Sequence, residues 1–537
     1  MNKIFTQLVQ KRGLTDDFLH PKYENLTTSS TLPDMEKAIN RIKTAIKNQE
    51  KILIYGDYDV DGITASTLME QSLVMAGVKK DHIYIMLPDR FVDGYGMSPR
   101  LITYAKEQEV ALVITVDCGS RNHEIVDELN INNIDTIITD HHECGDTLPE
   151  AVAAINPKRK DVEFPGKLKD LAGVGVAFKL AEALKENGLI KEGQEKWLLD
   201  LVLIGTICDS MLLTGENRIL CYYGIKVLEK TKRPGLKELM RSAGVKSITS
   251  ESIGFQIGPR LNAAGRLETA ELSLNLLRTD SSAEAASIAG QLEMLNSKRR
   301  TEQRAALEEI KSRTNILENP VIIESGKYHE GIIGIVAGRL VEEYHRPAIV
   351  LTEVEDGIFK GSGRSFGDFS LADALEYAKD TIITGGGHAA AAGVKVSRDN
   401  LYAFREKINA YYNSLHLEDQ EKFFSTSADI TLDNPADVSM ELLDNLSLLE
   451  PYGAGNEEPT FRLENTYISE VRRLGDKKQH LCLILKGKNS TLKCLAFNAK
   501  KEWLQIDPDT PHTFIIKPTI NEFRGIRSAE AYIINIL

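Results

Sequence analysis

The sequence has few cysteines, no long apolar run and no excess of positive charge, and each scarcity excludes a class of protein. The 6 cysteines among 537 residues form no CxxC pair, which argues against a zinc ribbon or a disulfide framework and favours reduced, buried thiols. No run of 18 apolar residues is present, and the start, MNKIFTQLVQKRGL, lacks the apolar core of a signal peptide. We therefore expect a cytoplasmic protein with no membrane partner.

The 78 acidic residues outnumber the 65 lysines and arginines, which gives a formal net charge of -13. Taken alone this weighs against a nucleic-acid binder, because phosphate neutralisation needs lysine and arginine clustered on one face. A site for divalent cations, however, needs carboxylates, and the bound ions cancel their charge. Local basic patches therefore matter more than the sum.

The length predicts about three folded units. Between residues 51 and 157 short apolar runs alternate with helical stretches, as in an α/β domain with a buried, mostly parallel sheet. A charged stretch from 283 to 316 with one glycine and no proline predicts a long helix. A second α/β unit follows, and evenly spaced short strands predict a small β-barrel near the C-terminus. The predicted divisions are 1–45, 46–230, 231–316, 317–415 and 425–537.

An acidic motif, GDYDVDG (56–62), directly follows the apolar strand KILIY. Ligand sites of open α/β sheets lie at such carboxyl ends of strands. The motif also matches the first half of an EF-hand loop. That alternative fails, because the twelfth position counted from Asp57 is Leu68 rather than glutamate, and because the preceding segment is of the β type.

Two further predicted strands end in acidic residues. ALVITV runs into Asp117, and DTIIT runs into Asp140, His141 and His142. A lone aspartate after a strand is usually a helix cap or a turn residue, but three such strand ends in one sheet meet in space. Asp209, at the end of an apolar run, is a fourth candidate. Carboxylates mixed with imidazole favour Mn²⁺, and two ions about 4 Å apart would promote phosphoester hydrolysis.

The ordered set of motifs resembles a known superfamily. GDYDVDG, VDCG (116–119), DHH (140–142) and GTICD (205–209) resemble the DHH phosphoesterases, and GGGHAAAAG (385–393) resembles the GGH element of their DHHA1 domain. Further segments are similar to the RecJ family of single-strand-specific 5′ to 3′ exonucleases: PDRFVDGYG (88–96), GPRLNAAGR (258–266), HEGIIGIVAGRLVEEYHRPAIVL (329–351), GSGRS (361–365) and PYGAGNEEP (451–459). The resemblance covers nearly the whole chain. It implies two α/β lobes, DHH and DHHA1, joined by a long helix and followed by an OB-like β-barrel.

The resemblance also implies roles for individual residues of the first lobe. The implied metal ligands are Asp57, Asp59, Asp61, Asp117, His141 and Asp209. Asp117 would bridge two Mn²⁺ ions, for which Mg²⁺ is a possible substitute, and Asp140 would orient the neighbouring imidazole. His142 would face the scissile phosphate. The chain departs from some relatives in having Tyr55 where a histidine ligand can stand, so one metal would bind more weakly or depend on Asp57.

Further residues, most of them outside the first lobe, are expected to bind the substrate. In the second lobe His388 would contact a non-bridging phosphate oxygen, and Ser362 with Arg364 would suit a terminal phosphate. Asp117, His142 and His388 are the candidate catalytic residues. The other candidate substrate contacts are Arg90, Arg260, Asn262 and Arg266. In the barrel the basic candidates are Arg472, Arg473, Lys477, Lys478, Arg524 and Arg527, and the candidate stacking residues are Tyr467, Phe497 and Phe523.

The function implied is metal-dependent degradation of single-stranded DNA in recombination and repair, with a helicase and a single-strand-binding protein as partners. Two alternatives stay open. One is a phosphodiesterase of the same superfamily acting on short oligonucleotides or cyclic dinucleotides, although such relatives typically lack the barrel. The other is a non-catalytic single-strand-binding scaffold, although such proteins lose metal ligands.

Overall fold

The computed structural model describes residues 2–94, 96–163, 168–313, 318–415, 428–487 and 490–537. Tyr95 of the PDRFVDGYG segment, the predicted end of the long helix at 314–316, and the predicted domain starts at 317 and 425 lie outside these ranges. The N-terminal helices are α1 (Lys3–Lys11), α2 (Asp16–Leu19) and α3 (Met35–Asn48).

The first lobe is a five-stranded, all-parallel sheet covered by helices on both faces. Its elements in chain order are β1 (Ile52–Gly56), α4 (Val60–Met75), β2 (Ile83–Met86), α5 (Arg100–Glu107), β3 (Leu112–Val116), α6 (His123–Ile131), β4 (Asp135–Thr139), β5 (Ala153–Ile155), α7 (Gly173–Glu186), α8 (Leu199–Cys208) and α9 (Gly215–Leu228). The strand order is β2-β1-β3-β4-β5. The central strands β1 and β3 are fully buried, which explains their unbroken apolar runs.

Helices connect the two lobes. They are α10 (Pro234–Ala243), α11 (Ser250–Ser252), α12 (Gly258–Leu267), α13 (Glu271–Arg278) and α14 (Ser282–Arg313). A π-helical turn over Ile253–Ile257 joins α11 to α12. Helix α14 spans 32 residues and packs against α10, α12 and α13. The predicted long helix between the lobes is therefore present.

The second lobe has a mixed sheet. Its elements are β6 (Ile322–Gly326), α15 (Ile333–Tyr344), β7 (Ala348–Glu355), β8 (Ile358–Arg364), α16 (Leu371–Tyr377), β9 (Thr384–Gly387), β10 (Ala391–Ser397) and α17 (Leu401–Ser414). The strand order is β6-β7-β8-β10-β9, with β6 and β7 parallel and the other pairs antiparallel. Apolar residues of α15 join the core of the first lobe, so the two lobes share one packed interface.

The C-terminal domain is built from β11 (Ile430–Leu432), α18 (Met440–Leu446), β12 (Phe461–Leu474), β13 (His480–Lys486), β14 (Thr491–Ala496), β15 (His512–Phe523) and β16 (Ile526–Ile536). The order is β11-β12-β13-β14-β16-β15, and β12 also pairs with β15. Five strands thus pair in a cycle, as in an OB-like fold. The predicted architecture of two α/β lobes, a long helix and this domain is confirmed.

The N-terminal segment is divided between two domains. Phe5 and Leu8 of α1 and Leu19 of α2 are buried in the core of the OB-like domain, whereas Ile39 and Ile42 of α3 pack in the core of the first lobe. Arg12 also pairs with Asp429, at 2.7 Å. Helices α1 and α2 therefore pack in the OB-like domain, a long-range contact that local patterns do not reveal.

Within the described part of the chain, no helix combines the length and the apolar character needed to cross a bilayer.

Candidate metal centre and strand cleft

The acidic strand ends lie together, as the parallel sheet requires. β1, β3 and β4 are neighbours, and Asp57, Asp117 and Asp140 follow their carboxyl ends. Three groups of side chains in the described residues could each hold a metal ion, with ligand atoms within 4.8 Å of one another. They are Asp57, Asp59 and Asp117; Asp61, His141 and Asp209; and Asp117, His141 and His142. Asp117 belongs to two of the three, once with two carboxylates of the GDYDVDG motif and once with both histidines of the DHH motif.

Asp117 is held in an unusual backbone conformation. Its φ of 62° is left-handed, which a residue with a Cβ adopts at a cost of roughly 1–3 kcal/mol and which occurs mainly where surrounding structure enforces it. Its backbone N–H donates to the Thr139 carbonyl at 2.9 Å, and its side chain is almost fully buried. This backbone conformation directs the Asp117 carboxylate into the acidic cluster.

Asp61 is fixed by a segment more than a hundred residues further along the chain. Its two carboxylate oxygens accept N–H groups from Gly173 at 2.7 Å and Val174 at 2.9 Å, at the first turn of α7. The helix N-terminus carries partial positive charge and stabilises this carboxylate. Gly173 must be glycine, because a Cβ there would lie 2.5 Å from Asp117 Oδ1.

His141 faces three carboxylates. Its Nε2 lies 3.1 Å from Asp117 Oδ1, 3.5 Å from Asp209 Oδ2 and 3.9 Å from Asp61 Oδ2. Burial, with a contribution from His142, lowers the pKa of His141 to about 3, which keeps the imidazole neutral. A neutral imidazole among carboxylates is a donor set that binds divalent transition metals.

Asp140 has a different environment from its neighbours. Its carboxylate accepts N–H groups from Ser120, His141 and His142 and contacts His142 Nδ1 at 2.9 Å. Although burial opposes ionisation, the hydrogen bond from His142 lowers the pKa of Asp140 and raises that of His142. The described contacts of the Asp140 carboxylate are thus all hydrogen bonds that hold neighbouring groups in place. One of them fixes the orientation of the partly exposed His142 ring.

The cluster fits divalent cations electrostatically. Burial and the adjacent Asp59 raise the pKa of Asp57 to about 8, and burial and neighbouring carboxylates raise the pKa of Asp61 and Asp117 well above the usual value. Asp117 Oδ1 is buried without a hydrogen-bond partner among the described residues. Carboxylates crowded in this way need positive charge between them, and divalent ions supply it.

Tyr55 does not face this cluster. Its hydroxyl donates to the Gly96 carbonyl at 3.0 Å, and its ring packs with Met97 and Leu101 on the opposite face of the sheet. The tyrosine therefore anchors the loop after β2, which carries Arg90. No metal ligand is supplied at this position.

Basic side chains converge between the lobes, opposite the acidic cluster. Burial, together with Arg90, Arg299 and Arg364, lowers the pKa of Arg266 to about 9, and Asp59 offsets this only in part. Arg266 is therefore close enough to each of the other three guanidinium groups to be repelled by it. Arg90 lies over the Tyr58 ring at 5.2 Å. Like charges held together without equal negative charge bind anions such as phosphate.

Ser362 and Arg364 lie over the first turn of α15. The Arg364 Nη1 donates to Ser362 Oγ at 3.3 Å. A Cβ on Gly334 would lie 2.9 Å from Ser362 Oγ and 3.2 Å from Arg364 Nη2. A hydroxyl, a guanidinium and a helix N-terminus next to a glycine form a compact site for a phosphate.

The lobes touch next to these residues. The Phe91 ring contacts the His329 ring, with centroids 5.7 Å apart, and a Cβ on Gly331 would lie 1.8 Å from the Arg266 carbonyl oxygen. The cleft is therefore closed on this side by the loops that precede α5 and α15.

The other predicted substrate contacts lie in different parts of the chain. Arg260 is buried and donates to Glu293 and to the Gln256 carbonyl, so its guanidinium is used within the helical connection. His388 is exposed in the turn between β9 and β10, where its N–H donates to the Ala391 carbonyl at 2.8 Å. Asn262 lines a cavity beside α12, as Arg266 does.

In the OB-like domain the three named aromatics, Tyr467, Phe497 and Phe523, are exposed. Several basic candidates already have partners within the domain or beside it. Arg472 pairs with Glu470, Arg473 donates to the Leu504 carbonyl and Arg527 pairs with Asp444. Arg524 lies over the Phe523 ring at 5.2 Å.

Two contributors to the site were not predicted from the sequence. Gly173 and Val174 donate backbone N–H groups to Asp61. The two glycines of LAGVG (171–175) were the available sequence signal, because they mark a place where the backbone approaches another group closely. Arg299 joins the basic group from α14, and nothing in a charged helix of many arginines marks this one.

We expect Asp140→Asn to lower kcat for hydrolysis by about 10- to 100-fold with little change in KM, because partners that orient metal-site imidazoles typically contribute that much. Asp146→Asn is a matched control, since its side chain is 98% exposed. Steady-state kinetics with manganese on both variants tests this. An unchanged kcat in Asp140→Asn would exclude the orienting role.

Comparison with known proteins identifies the class first. The models of the DHH family, N-terminal domain, of the DHHA1 domain and of the RecJ OB domain match residues 51–206, 318–414 and 429–535. Such a chain is a DHH-type phosphoesterase that carries an OB domain.

Whole-chain comparison identifies the family. The single-stranded-DNA-specific exonuclease RecJ of Escherichia coli is 34% identical over 94% of this chain and 90% of its own length. The RecJ of Bacillus subtilis is 35% identical over 99% of this chain and 67% of its own length. The crystal structure of Thermus thermophilus RecJ in complex with Mn²⁺ superimposes with a TM-score of 0.85 and 29% identity, covering 99% of this chain and 75% of that one. The chain belongs to the RecJ family.

Proposed function

We propose that this protein is a manganese-dependent exonuclease that degrades single-stranded DNA from its 5′ end. The observation that carries the proposal is a buried carboxylate and imidazole cluster, with Asp117 shared by two candidate metal groups, that lies beside a cleft lined with arginines. The similar proteins are named as single-stranded-DNA-specific exonucleases, and solved RecJ structures contain Mn²⁺ or Mg²⁺.

The six implied ligands divide between two ions. Asp57 and Asp59 would hold one, and Asp61, His141 and Asp209 would hold the other. Asp117, which groups with Asp57 and Asp59 and whose Oδ1 lies 3.1 Å from His141 Nε2, would contribute to both. Bound there, two divalent ions supply Lewis acidity for water activation and charge for the phosphate oxygens. Mn²⁺ suits this mixed oxygen and nitrogen set, and Mg²⁺ is a possible substitute.

The other side chains bind and orient the phosphates. His142, oriented by Asp140, would donate a hydrogen bond to the phosphate that is cut, and Arg90 and Arg266 would neutralise its neighbours. Ser362 and Arg364 suit a phosphate at a strand end, which supports exonucleolytic rather than internal cleavage. His388, exposed in its hairpin turn, would reach a non-bridging oxygen from the second lobe.

The family resemblance and the cleft between the lobes also suggest which proteins would act together with this chain. A cleft that accepts one strand needs a helicase to supply it, and a single-strand-binding protein would keep that strand open. The strand degradation would serve DNA recombination and repair, and it would take place in the cytoplasm.

End-labelled oligonucleotides test the proposal. Single strands labelled at the 5′ or the 3′ end, with the matching duplex, are incubated with manganese, magnesium or chelator. Early release of short 5′-labelled products from the single strand, with manganese and not with chelator, is the expected result. Earlier loss of the 3′ label would overturn the polarity.

The same assay separates the alternatives. Equal rates on a dinucleotide and on a long strand would favour a phosphodiesterase for short substrates. Tight strand binding with no hydrolysis in any metal would favour a scaffold protein. Either result would overturn the proposed exonuclease.

A further inference from the structure

A pair of aromatic rings joins the two lobes beside the cleft. Phe91, in the loop before α5, meets His329, in the loop before α15, with ring centroids 5.7 Å apart and ring planes inclined at 80°. Edge-to-face ring pairs have a preferred geometry, so this ring contact fixes an orientation as well as a distance. It links the loop that carries Arg90 to the lobe that carries Ser362 and Arg364.

Two aspartates fold the loop that carries Phe91 into a closed turn. The Asp89 carboxylate accepts the backbone N–H groups of Phe91 at 2.8 Å and of Val92 at 3.3 Å, as aspartates in turns commonly do. The backbone N–H of Asp89 donates to Asp93 Oδ2 at 2.8 Å, and Arg100 donates to the same oxygen at 2.7 Å. The Asp93 side chain is only 3% exposed. The turn is therefore held by its own hydrogen bonds and needs no substrate contact to form.

The loop before α15 is fastened to the sheet of the second lobe on both sides of its histidine. Thr352 Oγ1 accepts the N–H of Tyr328 at 3.0 Å and donates to the carbonyl of the same residue at 2.6 Å. Glu330 pairs with Lys360 at 2.8 Å. Lys360 lies two residues before Ser362 on β8, and the alternation of a strand places both side chains on one face. The histidine loop is therefore tied to the strand that carries the terminal phosphate site.

The orientation of the His329 ring is fixed within its own loop. Its Nδ1 accepts the backbone N–H of Gly331 at 3.1 Å, and because a backbone N–H can only donate, Nδ1 carries no proton in this arrangement. Gly331 in turn lies so close to α12 that a Cβ on it would be 1.8 Å from the Arg266 carbonyl oxygen. The ring that Phe91 meets is thus held by the same residue that packs against α12.

Arg90 and Arg364 approach each other from opposite lobes. Burial lowers the pKa of Arg364, and the nearby Arg90 lowers it further. Two guanidinium groups repel each other, so they do not themselves hold the lobes at this separation. The ring contact, which begins at the residue after Arg90, supplies an attraction next to them. A phosphate between the two arginines would be bound from both lobes.

We propose that Phe91 and His329 are positioning residues, whose ring contact sets the distance between Arg90 and the terminal phosphate site of the second lobe. Asp89 and Asp93 serve the same end, because they shape the turn that presents the Phe91 ring. Neither ring needs to touch the substrate. The proposal rests on the proposed function and adds to it a contact through which binding of the strand end depends on how the two lobes meet.

The Phe91→Ala variant tests the ring contact. Its kcat/KM is compared with that of the wild-type chain on two strands of identical sequence, one with a 5′-phosphate and one with a 5′-hydroxyl. We expect the preference for the phosphate to fall about tenfold, through KM, because Arg90 no longer meets the phosphate in a good hydrogen-bonding geometry. Activity on the hydroxyl-ended strand should change little, which shows that the variant is folded. Phe91→Tyr keeps the ring and the preference. Val92→Ala is the matched control, since this neighbouring side chain is 74% exposed.

His329→Asn tests the contact from the second lobe. The asparagine carbonyl can still accept the Gly331 N–H, so the variant removes the ring and keeps the loop, and it should lose the same preference as Phe91→Ala. A double-mutant cycle tests whether the ring acts through the guanidinium. Arg90→Met and Phe91→Ala together should lower the phosphate preference no more than Arg90→Met alone.

Three results would overturn the positioning role: a wild-type chain with no preference for the phosphorylated end, an undiminished preference in Phe91→Ala, or losses in the double-mutant cycle that multiply. The affinity for the same two strands, carrying a 3′ fluorophore and measured in chelator, gives the comparison without hydrolysis. The positioning role can therefore fail while the exonuclease proposal stands. A wild-type chain that binds the phosphorylated strand more tightly, loses this in Phe91→Ala and cuts neither strand would support the positioning role and overturn the exonuclease.

Discussion

Asp117→Asn is expected to lower manganese-dependent hydrolysis of single strands by more than about 100-fold, beyond the range typical of residues that only orient ligands. Asp117 lies beside Asp57 and Asp59 on one side and beside His141 on the other, so with the proposed division of the ligands its loss would impair both ions. Asparagine retains the shape of the side chain, and it tolerates the left-handed φ of 62° better than most residues. The substitution therefore removes charge without altering the backbone.

Stability separates a metal role from a structural one. Without metal, burial and the surrounding carboxylates make an ionised Asp117 unfavourable, so the variant should be at least as stable as the wild-type chain. Manganese at 100 times its dissociation constant should stabilise the wild-type chain by about 2.7 kcal/mol and the variant by much less. Thermal unfolding with and without manganese measures both effects.

Asp127→Asn on the exposed side of α6 is the control and should behave as the wild-type chain in both assays. Activity above one tenth of wild type in Asp117→Asn, or an undiminished stabilisation by manganese, would contradict the assignment of Asp117 as a shared ligand.

The first lobe could be predicted from sequence because its signals are local. Buried parallel strands are unbroken apolar runs, and an acidic residue directly after such a run lies at the ligand-binding edge of the sheet. Asp57, Asp117 and Asp140 therefore could be grouped without coordinates. The roles of Gly173 and Val174 could not, because they depend on how α7 packs against α4.

The second lobe shows where local patterns are insufficient. β8 and β9 contain the segments GSGR and TGGG, whose glycines provide no apolar alternation. The resemblance marked Ser362 and Arg364 there, but only the packed sheet places them over α15. Likewise, the burial of Phe5 and Leu8 in the C-terminal domain follows from contacts more than 400 residues apart in the chain.

Arg218 makes further long-range contacts of this kind. This buried residue of α9 donates to the carbonyls of Leu448 at 2.9 Å, Leu449 at 2.7 Å and Phe18 at 3.2 Å. Its guanidinium lies over the Phe18 ring at 4.3 Å. One side chain thus joins both the N-terminal segment and the segment that follows α18 to the first lobe.

Arg218→Met should lower the free energy of unfolding by about 3 kcal/mol. Asn456 also donates to the Leu449 carbonyl, but the partly buried carbonyls of Leu448 and Phe18 have no other hydrogen bond to a described residue. An acceptor left unpaired on burial costs about 1–3 kcal/mol, and the loss of both contacts together accounts for the expected value. Urea denaturation of the full chain measures the loss. Arg241→Met is the control, because Arg241 is 72% exposed and pairs with Glu238 on its own helix.

The same variant should also change the preference for long substrates. If the OB-like domain is held less firmly against the first lobe, it contributes less to binding a 20-mer, and the preference for a 20-mer over a trinucleotide should fall while manganese still stabilises the folded chain. A normal length preference together with lowered stability would mean that Arg218 stabilises the fold without positioning the OB-like domain. An unchanged urea midpoint would show that other contacts suffice to hold the OB-like domain.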